Sequence, residues 1–277
     1  METIREISRF SVIAGVLLAI STAALPAYAQ TEINAGGKTA ADAALDMANI
    51  LDGAGGGVSR EALISALEGA AEAGQPMALW QLGVMYENGE GVAKDPVKAF
   101  GYFSQIANQH ADTPPRGLEA DIVAQSFVKV GEYYREGLPD AGIPADADRS
   151  HALLLHAATY FGDADAQYRV GQLYLQEEGL GVNPLQSARW FSLAARKGHG
   201  PAQAALGELL FQGIEGIEPQ PIEGLMWMTM ARDRVLGTAD EGWVSEKLNQ
   251  ALASASPEQR AEATQLAQQL APQINGL

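Results

Sequence analysis

The sequence predicts an all-α protein: an α-solenoid of helix-turn-helix repeats with terminal helical caps. A ten-residue pattern recurs as GQPMALWQLG at 74–83, GDADAQYRVG at 162–171 and GHGPAQAALG at 198–207, with a weaker fourth copy, IVAQSFVKVG, at 122–131. Each full copy places an alanine four residues after its first glycine, an aliphatic residue four later, and a second glycine immediately after it. These second, pivot glycines are Gly83, Gly131, Gly171 and Gly207, separated by 48, 40 and 36 residues, a period that marks repeated supersecondary units. Apolar residues follow the helical spacing, and no alternating strand pattern competes with it.

The elements follow in chain order. Ser11 to Leu25 is one apolar run, preceded by Arg5 and Arg9 and followed by Pro26-Ala27-Tyr28-Ala29-Gln30. A charged start, an apolar core and an Ala-x-Ala site read as a secretory signal peptide over 1–29, cleaved before Gln30. The run is short for a membrane span, which takes about 20 apolar residues. Glu2 and Glu6 offset the two arginines, so an uncleaved N-terminal anchor stands as the competing reading. Residues 30–58 form a flexible lead in which Ala40 to Leu51 admits a short helix and Asp52 to Gly57 a glycine-rich hinge.

The repeat array is expected over 59–231, as a leading half-repeat plus four repeats. Glu61 to Gly74 is the half-repeat, because Ala70-Ala71-Glu72-Ala73-Gly74 has the same ending as Ala157-Ala158 and Ala194-Ala195 with their following glycines. In a first helix, Ala78, Leu82 and Met85 fall at i, i+4 and i+7 and share one face. A glycine inside a helix costs about 1 kcal/mol relative to alanine, so four pivots imply close approach of the second helix. Tyr86, Tyr134, Tyr174 and Leu210 follow the pivots by three residues, at a core position, and lead into glycine-rich turns. Asp95-Pro96 and Asn183-Pro184 then supply an N-cap and a first-turn proline for the second helix.

Matching apolar pairs line those second helices: Tyr102-Phe103, Leu153-Leu154, Trp190-Phe191 and Met226-Trp227. Gly74, Gly162 and Gly198 sit where a left-handed residue stops a helix. Two stretches lengthen the array, HADTPPRGLEAD at 110–121 and GLPDAGIPADAD at 137–148, both with the composition of exposed, protease-accessible loops. Residues 232–277 form the C-terminal helical cap. Ser256-Pro257-Glu258-Gln259 is a capping box that opens a helix through Leu270, and Gln265, Gln268 and Gln269 give it a polar outer face.

Composition excludes classes of function. The chain has 34 acidic and 18 basic residues, a formal charge of −16, and no cysteine. Such a surface repels nucleic acid and anionic lipid and favours a cationic patch on a protein partner. Disulfide and thiolate chemistry are ruled out. Gly36-Gly37-Lys38-Thr39 lacks the first glycine of a phosphate loop, since Glu32 stands there. His151 and His156 are five apart and face different ways on a helix, and Asp163 and Asp165 beside a turn read as capping or solvated carboxylates. The expectation is therefore no enzyme: no catalytic residues, no cofactor and no metal.

Partner contacts are expected on the first-helix face opposite the core, at positions minus three, plus one and plus four from each pivot. Those positions hold Trp80, Val84, Glu87; Val128, Glu132, Arg135; Tyr168, Gln172, Leu175; and Ala204, Glu208, Phe211. The candidates for partner binding are Glu132, Arg135, Tyr168, Gln172, Glu208 and Phe211. For Phe211, burial beneath a neighbouring unit or the end caps is an equal reading.

The Leu82-Gly83-Val84-Met85-Tyr86 core and the Asn88-Gly89-Glu90-Gly91-Val92 turn resemble the Sel1-like repeat, a relative of the 34-residue tetratricopeptide repeat. The signal-like start, the insert at Thr113-Pro114-Pro115, VGEYYREG at 130–137, AATYFGDADAQYRVGQLYL at 157–175 and ARWFSLAARKGH at 188–199 are similar to the ExoR family of periplasmic exopolysaccharide regulators of alphaproteobacteria. That resemblance implies a periplasmic, non-catalytic inhibitor that docks on the periplasmic part of a membrane sensor kinase. Two other functions keep the same repeats: a general envelope scaffold or assembly adaptor, and an enzyme of the cysteine-rich Sel1-like type linked to β-lactams. The absence of cysteine argues against the last. If the leader is processed as its pattern predicts, intact-mass measurement of the exported protein gives a chain starting at Gln30; a chain starting at Met1 would show an anchor.

Overall fold

The computed structural model describes residues 60–215 and 218–274; the expected signal peptide, the 30–58 lead and its short helix lie outside them. Eleven α-helices occur among the described residues: α1 Arg60–Glu72, α2 Pro76–Asn88, α3 Pro96–Gln109, α4 Leu118–Glu136, α5 Ala147–His156, α6 Ala164–Leu173, α7 Pro184–Arg196, α8 Gly200–Gln212, α9 Pro221–Val235, α10 Glu241–Ser254 and α11 Pro257–Ile274. α5 continues into one π-helical turn, Ala157–Phe161. The described residues form two compact units that meet within α5, one ending at Leu153 and the other starting at Leu154. The first holds α1 to α4 and most of α5. The second holds α6 to α11. Its fold class is the expected all-α solenoid of helix pairs, α2–α3, α4–α5, α6–α7 and α8–α9.

Within a pair, the pivot glycine brings the two helices together. The Phe103 ring lies against Gly83 so closely that a Cβ there would meet Cε1 at 2.5 Å, and the Phe191 ring approaches Gly171 to the same 2.5 Å. At Gly207 the neighbours are Met228 Cγ and the Gly224 carbonyl, both at 2.7 Å from such a Cβ. Phe103, Phe191 and Met228 are each fully buried. The fourth pair thus corrects the expected register: Met228 holds the position assigned to Trp227, which is half-buried, because the turn before α9 is one residue longer. The expected core face is buried at Ala78, Leu82 and Tyr86 in α2 and at Ser126, Val130 and Tyr134 in α4, whereas Tyr174 and Leu210, three after the last two pivots, are only half-buried.

One backbone hydrogen bond closes all four turns. The residue three after the pivot accepts at its carbonyl from the N–H of the residue that begins the second helix: Asp95 to Tyr86 at 2.8 Å, Asp146 to Tyr134 at 2.7 Å, Asn183 to Tyr174 at 2.8 Å and Gln220 to Leu210 at 2.7 Å. Asp95 and Asn183 then cap α3 and α7 by accepting from the N–H of Lys98 and Gln186, as their Asp-Pro and Asn-Pro sequences require. Asp146 does the same for α5 through Arg149 N–H, without a proline. The same bond closes turns of different length, and lengthening a loop costs little extra entropy.

Both lengthened stretches are more ordered than composition suggests. α4 begins at Leu118, so residues 118–121 of the first are helical. In the second, Leu138 and Ile143 are buried and exchange backbone bonds of 2.8 and 3.0 Å around the 3-10 turn Pro139–Ala141. Their bridge is isolated, with no strand among the described residues.

Second helices end as glycine demands. Gly74, Gly162 and Gly198 have φ of 78°, 69° and 82°, the left-handed region. A basic side chain from one unit further along lies over each. His110 Nε2 donates to the Gly74 carbonyl at 3.1 Å, Lys197 Nζ donates to the Gly162 carbonyl, and the Arg234 guanidinium lies against Gly198. Cationic or polarised N–H groups fit here because the unsatisfied carbonyls of a helix C-terminus carry partial negative charge. In the cap, Ser256 and Gln259 exchange the reciprocal bonds of a capping box, 2.9 and 3.2 Å. Two boundaries shift: α9 runs through the expected 231/232 border to Val235, and α11 passes Leu270 to Ile274 with Pro272 inside it.

Gly171→Ala will push a methyl into the Phe191 ring and destabilise the protein by about 1–3 kcal/mol, the usual cost of overpacking. Adding Phe191→Leu will recover part of that loss. Thermal denaturation of the two single variants and the double variant checks the coupling; additive losses would show that ring and glycine do not touch.

Candidate partner-binding faces

In the first unit the expected contact face falls on α4. Lys129 Nζ bonds Glu87 Oε2 on α2 at 2.9 Å and lies 3.5 Å from Glu132 Oε2, while the Tyr133 hydroxyl donates to Glu87 Oε1 at 3.3 Å. Burial works against the Lys129 charge, but the hydrogen bond to Glu87 and the Glu132 carboxylate outweigh it and hold the ammonium above its ordinary value. Burial and the same two carboxylates push the Tyr133 phenol up. Both groups therefore keep their protons at neutral pH. Arg135 is exposed and pairs with its neighbour Glu136 at 2.9 Å. Val128, expected on the free face, is instead fully buried.

In the second unit the four other candidates divide. Tyr168 and Gln172 lie on α6, half-buried, with Gln172 Nε2 donating to the Tyr168 hydroxyl at 2.9 Å. The Tyr168 ring packs against Phe191 and His199, with centroids 5.6 and 5.0 Å apart, so only its rim is available. Burial and then the Asp240 carboxylate push its phenol up. Glu208 and Phe211 on α8 are engaged within the unit. Lys247 Nζ from α10 bonds Glu208 Oε1 at 2.5 Å, and Phe211 packs on the apolar cluster of Leu225, Met228 and Leu248. Ala204 is fully buried with Val235 and Val244. The reason is α10: the cap packs on the α8 face that the repeat pattern alone leaves open.

Of the carboxylates and histidines singled out from sequence, Asp163, Asp165 and His156 are engaged within the fold. Asp163 caps α6 by accepting from Ala166 N–H at 2.7 Å. Asp165 accepts from Arg169 Nε at 2.7 Å and lies 3.7 Å from His199 Nε2, while His199 Nδ1 accepts from Ala202 N–H as the N-cap of α8. Both ring nitrogens of His199 are thus committed, so this Asp–His pair has no free base. His156 stacks on Tyr160 with rings 5.4 Å apart, and burial lowers its pKa. No group of residues able to hold a metal ion occurs among the described residues.

Two buried polar residues escaped the sequence reading. Gln167 and Gln203, each four before a pivot, donate to the carbonyls of Ala158 and Ala195 at 3.2 and 3.0 Å. They satisfy the last turn of the preceding second helix from inside. The signal was present as the shared Ala-Gln of the 162–171 and 198–207 copies.

Comparison with known proteins places these helix pairs. The Sel1 repeat family model matches residues 76–110, 128–159, 164–199 and 200–234. The chain is 30% identical over 211 residues to an exopolysaccharide production negative regulator of Rhizobium meliloti (strain 1021), with 76% of each chain covered. A protein of the same name from Rhizobium leguminosarum bv. viciae is 31% identical over 212 residues, again with 76% of each covered. The crystal structure of a Sel1 repeat protein from Oxalobacter formigenes superimposes with a TM-score of 0.60 at 24% identity, covering 83% of this chain and 87% of that one. It has the same fold.

The Asp165 carboxyl is pushed up by burial, but His199 and Arg169 outweigh that and hold it below the ordinary carboxylate value. A carboxyl depressed on folding stabilises above its unfolded pKa, and that contribution is lost as pH falls through the folded one. Asp165→Asn is therefore expected to lower Tm at pH 7 by about 2–4 °C, the effect of roughly 1 kcal/mol in a chain of this size. Denaturation curves of variant and parent should converge as pH falls below about 3.8, the carboxyl's ordinary value; a constant gap would assign the loss to packing.

Proposed function

The chain belongs to the Sel1 repeat family and to the family of the rhizobial exopolysaccharide production negative regulators, and from that premise we propose that it is a non-catalytic, periplasmic protein-binding regulator that restrains a membrane sensor kinase controlling exopolysaccharide production. One observation carries the reading: two proteins named as negative regulators match this chain at 30% and 31% identity over 76% of each of them. The signal-like residues 1–29 support export, and the −16 charge suits a cationic protein surface. No helix among the described residues is long and apolar enough to cross a membrane.

Glu132, Arg135, Tyr168 and Gln172 are the proposed contacts, with Arg135 foremost. It is exposed, its salt bridge to Glu136 is a weak surface pair, and arginines are over-represented among residues that dominate interfaces. Glu208 and Phe211 are occupied by α10 and the cap, which leaves them a supporting role.

Deleting the gene should raise exopolysaccharide output, and restoring the wild-type gene should return it to the parental level. Arg135→Ala should fold normally, bind the sensor's periplasmic domain about tenfold more weakly and complement only in part. Unchanged polysaccharide in the deletion strain would overturn the regulator and leave an envelope scaffold.

A further inference from the structure

In the second unit, α7 and α9 are both second helices, and one of them carries a covered stripe where the other's is bare. Phe191 on α7 and Met228 on α9 each face a pivot glycine, and Lys197 and Arg234 each lie over the last glycine of the preceding second helix, both pairs 37 residues apart. In that register the half-buried Trp190 matches the half-buried Trp227, while Leu185, Arg189 and Leu193 match Ile222, Met226 and Met230. The spacing is i, i+4 and i+8, so each trio forms one stripe along its helix. On α9 the stripe is covered: Met226 and Met230 are buried in a cluster with Ala263 and Ala267 of α11, and Ile222 packs against it. A helix laid along this stripe of a second helix is thus an arrangement the chain already makes.

On α7 nothing covers it. Leu185 and Leu193 are 38% and 47% exposed, and Val182, just ahead of the helix, is 58% exposed. Arg189 is exposed between the two leucines, and Arg196, eleven residues after Leu185 and so about three turns on, is exposed on the same side. α7 contains no carboxylate. Among the described residues neither Arg189 nor Arg196 forms a salt bridge, whereas Lys197 at the helix end is engaged by the Gly162 carbonyl. Exposed leucines alternating with unpaired arginines reverse, locally, the sign of a chain whose formal charge is −16.

We propose that this stripe of α7 docks an acidic amphipathic helix of the partner protein, with aliphatic side chains on Leu185 and Leu193 and carboxylates on Arg189 and Arg196. The packing of α11 on α9 gives the occupant its helical form, and the two arginines give it its charge. They lie seven residues apart, so carboxylates at i and i+7 of the incoming helix meet both, and each guanidinium offers a carboxylate two parallel N–H donors. Elsewhere the acidic surface repels such a helix, which confines it to α7. The same net charge opposes an anionic bilayer. The proposal rests on the protein-binding reading above and adds a contact on a second helix.

The test uses the full chain, labelled with nitrogen-15, and two helical peptides of alanine and leucine that differ at two positions seven apart: glutamate in one, glutamine in the other. The glutamate peptide should bind at least about tenfold more tightly at low salt, with shifts concentrated at residues 182–197. Arg189→Gln combined with Arg196→Gln should bring the two peptides within about twofold of each other. Leu193→Ser should weaken both by a similar factor. All three side chains are exposed, so Tm should stay within about 2 °C of the parent. Equal binding of the two peptides by the parent protein, no binding at millimolar peptide, shifts centred outside 182–197, or a preference that survives the double arginine variant would overturn the assignment. So would arginine-dependent sedimentation with anionic phospholipid vesicles, or self-association of the parent that the double variant loses, since these make a bilayer or a second copy the occupant. If the deletion strain overproduces polysaccharide while the two peptides bind alike, the regulator stands and the α7 face falls; an unchanged deletion strain with the glutamate preference intact gives the reverse.

Discussion

The contact between a pivot glycine and the side chain facing it sets the geometry on which everything else depends. At Gly83 and Gly171 a phenyl ring occupies the volume where a Cβ would be, and at Gly207 a methionine does. A flat ring against bare backbone brings two helices closer than a side chain at the pivot would allow. Closeness fixes rotation as well as distance. Helical spacing turns the residues one and four beyond a pivot away from the core, and on α4 these are Glu132, half-buried, and Arg135, exposed. The glycine loses intrinsic helix propensity, and buried ring area more than offsets that loss.

Repetition made most of the fold legible in the sequence. A glycine embedded in an amphipathic helix is unfavourable once; recurring at the same place in unit after unit it points to a packing cause, which the contacts at Gly83, Gly171 and Gly207 supply. The caps were legible for the same local reason, since Asp95-Pro96, Asn183-Pro184 and the Ser256–Gln259 box each lie within four residues of the groups they satisfy. The Met228 register was less so. Its shift depends on the length of the turn before α9, which a pattern of residue types does not count. The start of α4 was misread because Pro114, Pro115 and Gly117 drew attention away from the helix that begins at Leu118.

The candidate face was half legible, and the missing half has one physical source. Periodicity tells which residues of a helix point away from its partner; it says nothing about what else packs there. The cap helix α10 joins α8 from more than thirty residues away and buries Ala204 while engaging Glu208. Long-range packing of that kind leaves no local signature. Gln167 and Gln203 show the opposite case, a signal visible twice in sequence whose meaning needed the carbonyls of Ala158 and Ala195 in view.

The side chains laid over Gly74, Gly162 and Gly198 come from residues 110, 197 and 234, very nearly one full unit downstream each time. Three helix pairs, α2–α3, α6–α7 and α8–α9, therefore each carry the closure for the glycine-ended helix before them, while α3 ends at His110 without a glycine. A segment of the gene spanning one such period can be copied or lost in a single recombination event, and the new junction inherits a donor and an acceptor already in register. Arrays of this design grow and shrink by whole units while their ends stay chemically complete, which gives a lineage a ready route to lengthen or trim a protein-binding surface without reinventing the fold.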